Sequence, residues 1–227
     1  MTRVSFYVDG FNFAFGIKRA YEANAKWGCA FWIDLVKLFE NFVGDNQVLE
    51  KVVYFTSTPL EADNAKKQGA FLNANRELNG DRFEVVRGSF LAKTIKCRKC
   101  GNEISKPEEK KTDVNISVRM IGDCVKGLVD SVVLVSADTD LIPPLEFVLD
   151  NFKDVKTKVY FPPMNSSRDI VDLGRSKGFK VKDLASNANI FYRAQMPEKV
   201  GLHTIPDDWR RRLAGSKPYF ETPKLNK

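Results

Sequence analysis

Four carboxylates and one amide, spread over three short signatures, are where this chain could do chemistry. Asp9 and Asn12 lie in Val8-Asp9-Gly10-Phe11-Asn12, directly after an apolar run. Asp113 lies in Lys110-Lys111-Thr112-Asp113-Val114. Asp138 and Asp140 lie in Ser136-Ala137-Asp138-Thr139-Asp140, directly after Ser131-Val132-Val133-Leu134-Val135. Two of the signatures close a β-like run, and the carboxyl ends of strands are where open α/β sheets form ligand sites. Carboxylates gathered there repel unless positive charge sits among them. Hard cations such as Mg²⁺ or Mn²⁺ take oxygen ligands of this kind.

Each residue also has a structural reading. Asp138 and Asp140 stand two apart, so in extended chain their side chains face the same way. Asp140 precedes Leu141-Ile142-Pro143 and would serve as a helix cap, but two carboxylates with Ser136 exceed what capping needs. Gly10 permits a tight turn after Asp9. An Asx turn accounts for Asn12 and leaves Asp9 without a role, whereas Asn12 could otherwise hold a carboxylate or a water. Asp113 opens a helix, where the macrodipole favours an acid, and in isolation it reads as structural. Asp123 lies nearly three turns further along that helix and reads as a rim residue. Arg119 would touch phosphate or pair with a surface acid.

These side chains need elements to position them. Strands are expected at residues 3–8, 51–55, 82–87, 131–135, 156–161 and 179–184. Helices are expected at 32–43, 61–78, 113–126, 143–152 and 166–177. Residues 131–135 are nearly all β-branched, as in a central strand buried on both faces. Alternation of strands with helices predicts βαβ units, a mostly parallel sheet and a three-layer α/β/α sandwich of Rossmann-like type. The first strand should lie beside the fourth where strand order reverses, bringing Asp9 near Asp138. Residues 92–111 break the pattern and read as an inserted hairpin or loop. We expect a core domain over residues 1–186 and a basic extension over 187–227.

The chain has 227 residues, a formal charge of +7, four cysteines and one histidine. The charge fits either a polyanionic partner or a solvated lysine-rich surface. No P-loop or dinucleotide-binding glycine pattern is present. With His203 far along the chain, a histidine-assisted nucleophile is not expected, and metal-activated water is the better candidate. Cys29 and Cys124 read as buried thiols. Cys97 and Cys100 form half of a zinc ribbon and fall two ligands short of a structural zinc within one chain. A degenerate knuckle, or zinc shared across a homodimer, are the readings of that pair. No apolar run approaches a membrane span, and a soluble, cytoplasmic protein is expected. Trp209, Arg210 to Arg212, Tyr219 and Phe220 mix cations with rings, as a single-strand binding segment would. A solvated tail is the competing reading.

Taken together, the Asp9–Asn12, Asp113 and Ser136–Asp140 signatures resemble those of the NYN domain family, LabA-like proteins of the PIN-like nuclease group. The resemblance covers residues 3–184 in order. It implies a metal-dependent nuclease acting on RNA, with Asp9, Asp113, Asp138 and Asp140 as metal-binding acids and Asn12 and Ser136 in support. It also raises Asp113 above a helix-terminal role. Ala137 stands where many relatives have glycine, and Arg119 where many have an acid. The first expectation is therefore an endoribonuclease using Mg²⁺ or Mn²⁺, with Arg119, Arg168, Lys110 and Lys111 as nucleic-acid contacts. Two further expectations are a catalytically silent RNA- or protein-binding module and an enzyme on a small anionic substrate. In the last, Phe11, Phe13 and Phe15 would line the acidic cleft.

Overall fold

A computed structural model gives the structure of the chain and describes residues 1–96, 100–101 and 103–216. Its centre is a six-stranded, wholly parallel sheet. The strands are β1 (Thr2–Asp9), β2 (Gln47–Thr56), β3 (Phe83–Arg87), β6 (Ser131–Val135), β7 (Lys156–Phe161) and β8 (Lys180–Asp183), and their order is β3-β2-β1-β6-β7-β8. Building runs outward from β1 in one direction, then restarts on its other side with β6. The crevice beyond the carboxyl ends of β1 and β6 is thus the topological switch point.

Both faces of the sheet are covered, and the residues show why. On β1, Val4, Phe6 and Val8 face one core and Tyr7 the other, all of them buried. On β6, Val133 and Val135 join the first core, and Val132 and Leu134 the second. Alternation with no polar face is what a strand covered on both sides requires. The first core is completed by α1 (Gly10–Ala23), α2 (Leu35–Glu40), α3 (Ala62–Asn79) and α7 (Ala188–Arg193). The second is completed by α4 (Thr112–Val125), α5 (Ile142–Asn151) and α6 (Arg168–Lys177). The three-layer α/β/α architecture is the one expected.

Some elements differ from expectation. The helix foreseen over 32–43 is confined to α2, because Asp34 caps it, its carboxylate accepting from the Lys37 amide at 3.0 Å. Trp32 and Ile33 are buried ahead of it in non-helical chain, with Trp32 Nε1 donating to Pro197 O at 2.7 Å. The insertion is a hairpin that starts earlier: β4 (Ser89–Lys96) pairs antiparallel with β5 (Glu103–Lys110), outside the main sheet. Cys100 is exposed near its tip, and Cys97 lies outside the described residues.

The segment beyond residue 187 folds back on the first core. Phe191, Met196 and Ile205 are buried there, and β9 (Lys199–Val200) and β10 (His203–Thr204) form a short antiparallel pair. In α8 (Asp207–Gly215), Trp209 packs on Phe31 and Phe71 with centroids 5.8 and 6.3 Å away. Arg212 sits 4.5 Å over the Phe31 ring. Trp209 and Arg212 are thus packing residues, not part of a solvated tail. Lys217, Tyr219, Phe220, Lys224 and Lys227 lie outside the described residues. Among the described residues no helix is long and apolar enough to cross a membrane.

A candidate metal centre at the sheet switch point

Three carboxylates converge on the crevice between β1 and β6. Asp9, Asp113 and Asp138 each offer an oxygen, and these oxygens lie within 4.8 Å of one another. Three different elements deliver them. Asp9 ends β1 and caps α1, its Oδ1 accepting from the Asn12 amide at 3.0 Å. Gly10 is obligatory next to it, because a Cβ there would stand 2.5 Å from both Phe55 O and the Tyr54 ring. The Tyr54 hydroxyl in turn donates to Gly10 O at 3.1 Å. Asp138 follows β6 by three residues and caps the short 3-10 turn Thr139–Leu141, its Oδ1 accepting from the Asp140 amide at 3.0 Å. The cap here is therefore Asp138, not Asp140. Asp113 occupies the first turn of α4, launched by Lys111 in a left-handed conformation with φ of 76°. Such a backbone costs on the order of 1 kcal/mol for a non-glycine residue and persists only where its surroundings impose it.

A polar network fixes the group. The Ser136 hydroxyl, fully buried, donates to Asp9 Oδ2 at 2.8 Å and accepts from the Asp138 amide at 3.1 Å. One side chain therefore sets the positions of two acids. Asn12 Oδ1 accepts from the Ala137 amide at 3.3 Å and from Asn165 Nδ2 at 2.8 Å, tying the start of α1 to the segments after β6 and β7. Asn165 Nδ2 also donates to Asn12 O at 2.8 Å.

Electrostatically, burial and mutual repulsion both work against the charged forms of these carboxylates. Burial pushes the Asp9 carboxyl above its ordinary range, against the Asn12 amide and Ser136 hydroxyl that favour its anion, and the Asp138 charge adds to the rise. Asp113 is pushed up to about 6, first by burial and then by the charges of Asp138, Asp9 and Asp140. Asp140 is exposed and stands outside the group of three, although its charge reaches Asp113. Oxygen donors alone, mutually repelling, on fixed scaffolds match a hard divalent cation, whose charge would relieve that repulsion.

The three acids floor a cleft of about 380 Å³ that Asn12, Asn165, Thr112, Phe11, Phe15 and Arg19 also line. Phe11, Phe15 and Arg19 repeat every four residues along α1, so they form one stripe leading out of the acidic floor. The Phe11 and Phe15 rings lie 6.3 Å apart at 31°, and Phe15 is 56% exposed. Phe13 points into the core instead.

A family model described as the NYN domain matches residues 3–173. The chain belongs to the NYN domain family. Its fold is accordingly the nuclease-like fold of that family, with an acidic cluster at the switch point. A relative named 6-hydroxy-3-succinoylpyridine 3-monooxygenase HspA, from Pseudomonas putida, is 30% identical over 200 residues, covering 73% of this chain. The chain spans 61% of that relative's length. A solved structure of a protein of unknown function from Vibrio parahaemolyticus has a TM-score of 0.51 and 20% identity, over 80% of this chain and 92% of that one, which is a likeness of fold.

The remaining sequence-selected residues of this NYN chain lie elsewhere. Arg119 is held by Asp123, through Nε at 3.0 and 2.8 Å, and by both oxygens of Glu84. Asp123 is buried, not at the rim, and accepts from the Tyr7 hydroxyl at 2.9 Å. Lys51 extends this network to Glu84 at 3.4 Å. The Arg119 guanidinium keeps the Glu84 carboxyl below its ordinary range, while burial drives the Tyr7 hydroxyl upward. Lys110 ends β5 and Lys111 leads into α4 beside Asp113. Arg168 opens α6 and lines a separate surface hollow with Ser166, Ser167 and Arg175. Arg19 and Asn165 were not foreseen. The strand-end rule pointed to the loop carrying Asn165, and the four-residue spacing from Phe11 pointed to Arg19.

Proposed function

We propose that this NYN domain is a hydrolase of RNA phosphodiester bonds that works with Mg²⁺ or Mn²⁺. The observation that carries the reading is the convergence of Asp9, Asp113 and Asp138 from β1, α4 and the end of β6 onto one point of an open cleft. A divalent cation bound there supplies activation of an attacking water and neutralisation of charge developing on the phosphoryl oxygens. The chain's own residues do the positioning. Ser136 and the Asn12 amide orient the Asp9 carboxylate and favour its anion against the burial that opposes it, and Asn12 with Asn165 fixes the Ala137 backbone ahead of Asp138. Both oxygens of Asp9 retain lone pairs beyond the bonds they accept. Arg19 offers a fixed positive charge to a phosphate at the cleft wall, and Phe15 offers a ring face to a base. His203 lies far from this machinery, beside Glu77 at 3.8 Å, so no histidine participates. The test is single-turnover cleavage of single-stranded RNA in Mn²⁺. Asp138→Asn keeps the side-chain shape and removes one charge, and its rate should fall by orders of magnitude. Equal rates for the two proteins would remove the site from the reaction.

A second reading is favoured by the Phe11–Phe15–Arg19 stripe. Two rings and a cation beside an acidic floor also suit a small aromatic anion, and one relative carries a name denoting action on a pyridine compound. Fold alone does not decide between the two. Competition does: a small aromatic carboxylate that occupies the cleft should protect Phe15 from solvent and displace RNA.

A further inference from the structure

We propose that Lys156, Lys158, Lys180 and Lys182 form a docking surface for the phosphate backbone of single-stranded RNA, on the face of β7 and β8 where the helical cover ends. The proposal deepens the RNA reading above and rests on it for the identity of the polyanion.

The lysines share one face by register. Lys158 pairs with Lys180, and Tyr160 with Lys182, across adjacent parallel strands. Lys156 and Lys158 alternate with Thr157 and Val159, which turn to the opposite face; Val159 and Val181 pack into the second core. Lys182 Nζ lies 5.7 Å from the centroid of the buried Tyr160 ring, which itself packs on Phe6 and Phe42. The first-core helices thus reach as far as Tyr160, and beyond it lysines take their place. Lys156, Lys180 and Lys182 are exposed and Lys158 is half-buried.

The arrangement is costly. Like charges placed opposite one another on neighbouring strands destabilise a sheet. Lys158 is lowered from its ordinary pKa by burial and then by Lys182, Lys180 and Lys156, with no carboxylate opposing. Among the described residues, none of the four makes a salt bridge or a side-chain hydrogen bond. Lysines on an edge strand have a simpler use in blocking edge-to-edge pairing. That use covers Lys180 and Lys182 on β8 but not Lys156 and Lys158, since β7 is interior to the sheet. Four uncompensated cations are what a polyanion supplies charge to, with release of its counterions. A membrane surface fits less well, because no large apolar side chain of β7 or β8 is exposed to enter lipid. One end of the surface faces the acidic floor. Lys182 is level with Tyr160, Val135 and Val8, the residue before Asp9, three strand spacings or about 14 Å from it, whereas Lys156 is level with Ser131 and Val4 at the far end of the strands.

The test is binding of a labelled single-stranded RNA by the full chain in EDTA, as a function of salt. Each phosphate neutralised on a single strand contributes a slope of about 0.7 in log affinity against log salt. Converting all four lysines to Gln should lower the slope by about 2.8, so the affinity lost on doubling the salt should shrink about sevenfold. Lys156, Lys180 and Lys182→Gln together, which leave the half-buried Lys158 in place, should lower it by about 2. A control with Lys66, Lys126, Lys153 and Lys199→Gln, carrying the same change in net charge, should keep the wild-type slope. An unchanged slope in the first two variants, or an equal drop in the control, overturns the proposal. So does lysine-dependent binding to phosphatidylserine vesicles without binding to RNA. Lysine-dependent RNA binding without any cleavage in Mn²⁺ would leave this surface standing and refute the nuclease reading. Cleavage with an unaltered salt slope would do the reverse.

Discussion

Asp113→Asn in metal-free protein separates the two roles open to that residue, because they predict opposite signs. Asp113 titrates at about 6 in the folded chain against an ordinary 3.8. Each unit is worth about 1.4 kcal/mol, so the gross penalty for holding it ionised is about 3 kcal/mol. The cleft is open and the residue is only partly buried, which screens the repulsion and leaves about 1–2 kcal/mol. Because its folded pKa is raised, the native state binds more protons than the unfolded state between about pH 4 and pH 6. Stability must therefore fall as pH rises through that window, with the penalty absent below about 4 and complete above about 6. Asparagine cannot ionise and escapes it. The substitution also removes an acid from the first turn of α4, a loss of about 0.3–1 kcal/mol that opposes the gain. In EDTA, denaturant unfolding at pH 8 should show Asp113→Asn more stable than wild type by about 1 kcal/mol, and at pH 4 equal or slightly less stable. A variant less stable than wild type by the same amount at both pH values would reduce Asp113 to a helix-terminal acid and refute the repulsion argument.

Three other outcomes follow from the same geometry. Asn165→Ala should weaken Mn²⁺ affinity by about tenfold to a hundredfold, as loss of a partner that orients ligands does, without a large change in melting temperature; titration calorimetry reads the first and scanning calorimetry the second. Gly10→Ala drives a Cβ against Phe55 O and should cost about 1–3 kcal/mol in denaturant unfolding, because neither the carbonyl nor the Tyr54 ring can move away freely. Arg119→Met should destabilise by on the order of 3 kcal/mol by leaving buried Asp123 unpaired, yet keep Mn²⁺ affinity, since Arg119 serves the Glu84–Asp123 network and not the cleft.

How much of this was legible beforehand depended on the range of the interaction. Asp9 and Asp138 announced themselves because each follows an apolar run, so local pattern placed both at strand ends. The strand order that joins them followed from β/α alternation, and the architecture came out as read. Asp113 was different. Its local signal matches any acid at a helix start, and only its resemblance to family signatures raised it further. Asn165 matters only once the segment after β7 meets α1, whereas Arg19 stands at helical spacing from Phe11 and Phe15 and was legible along α1 alone. Arg119 and Asp123 looked like surface groups on a helical face, and their network with Tyr7 and Glu84 required the packing of α4 on β1 and β3. The four lysines were invisible for a similar reason: along each strand they read as ordinary alternation, and only the β7–β8 register stacks them. Trp209 carried a local pattern suited to base stacking, whereas its contacts with Phe31 and Phe71 depend on how the chain returns after α7.

Asp9, Asp113 and Asp138 are proposed to hold one divalent cation together. Anomalous diffraction from crystals of the full chain soaked in Mn²⁺ tests it most directly. A peak is expected within bonding distance of all three carboxylates, absent from Asp138→Asn crystals treated identically. A fully soaked crystal with no peak among these acids, or with its peaks at other carboxylates only, would contradict it.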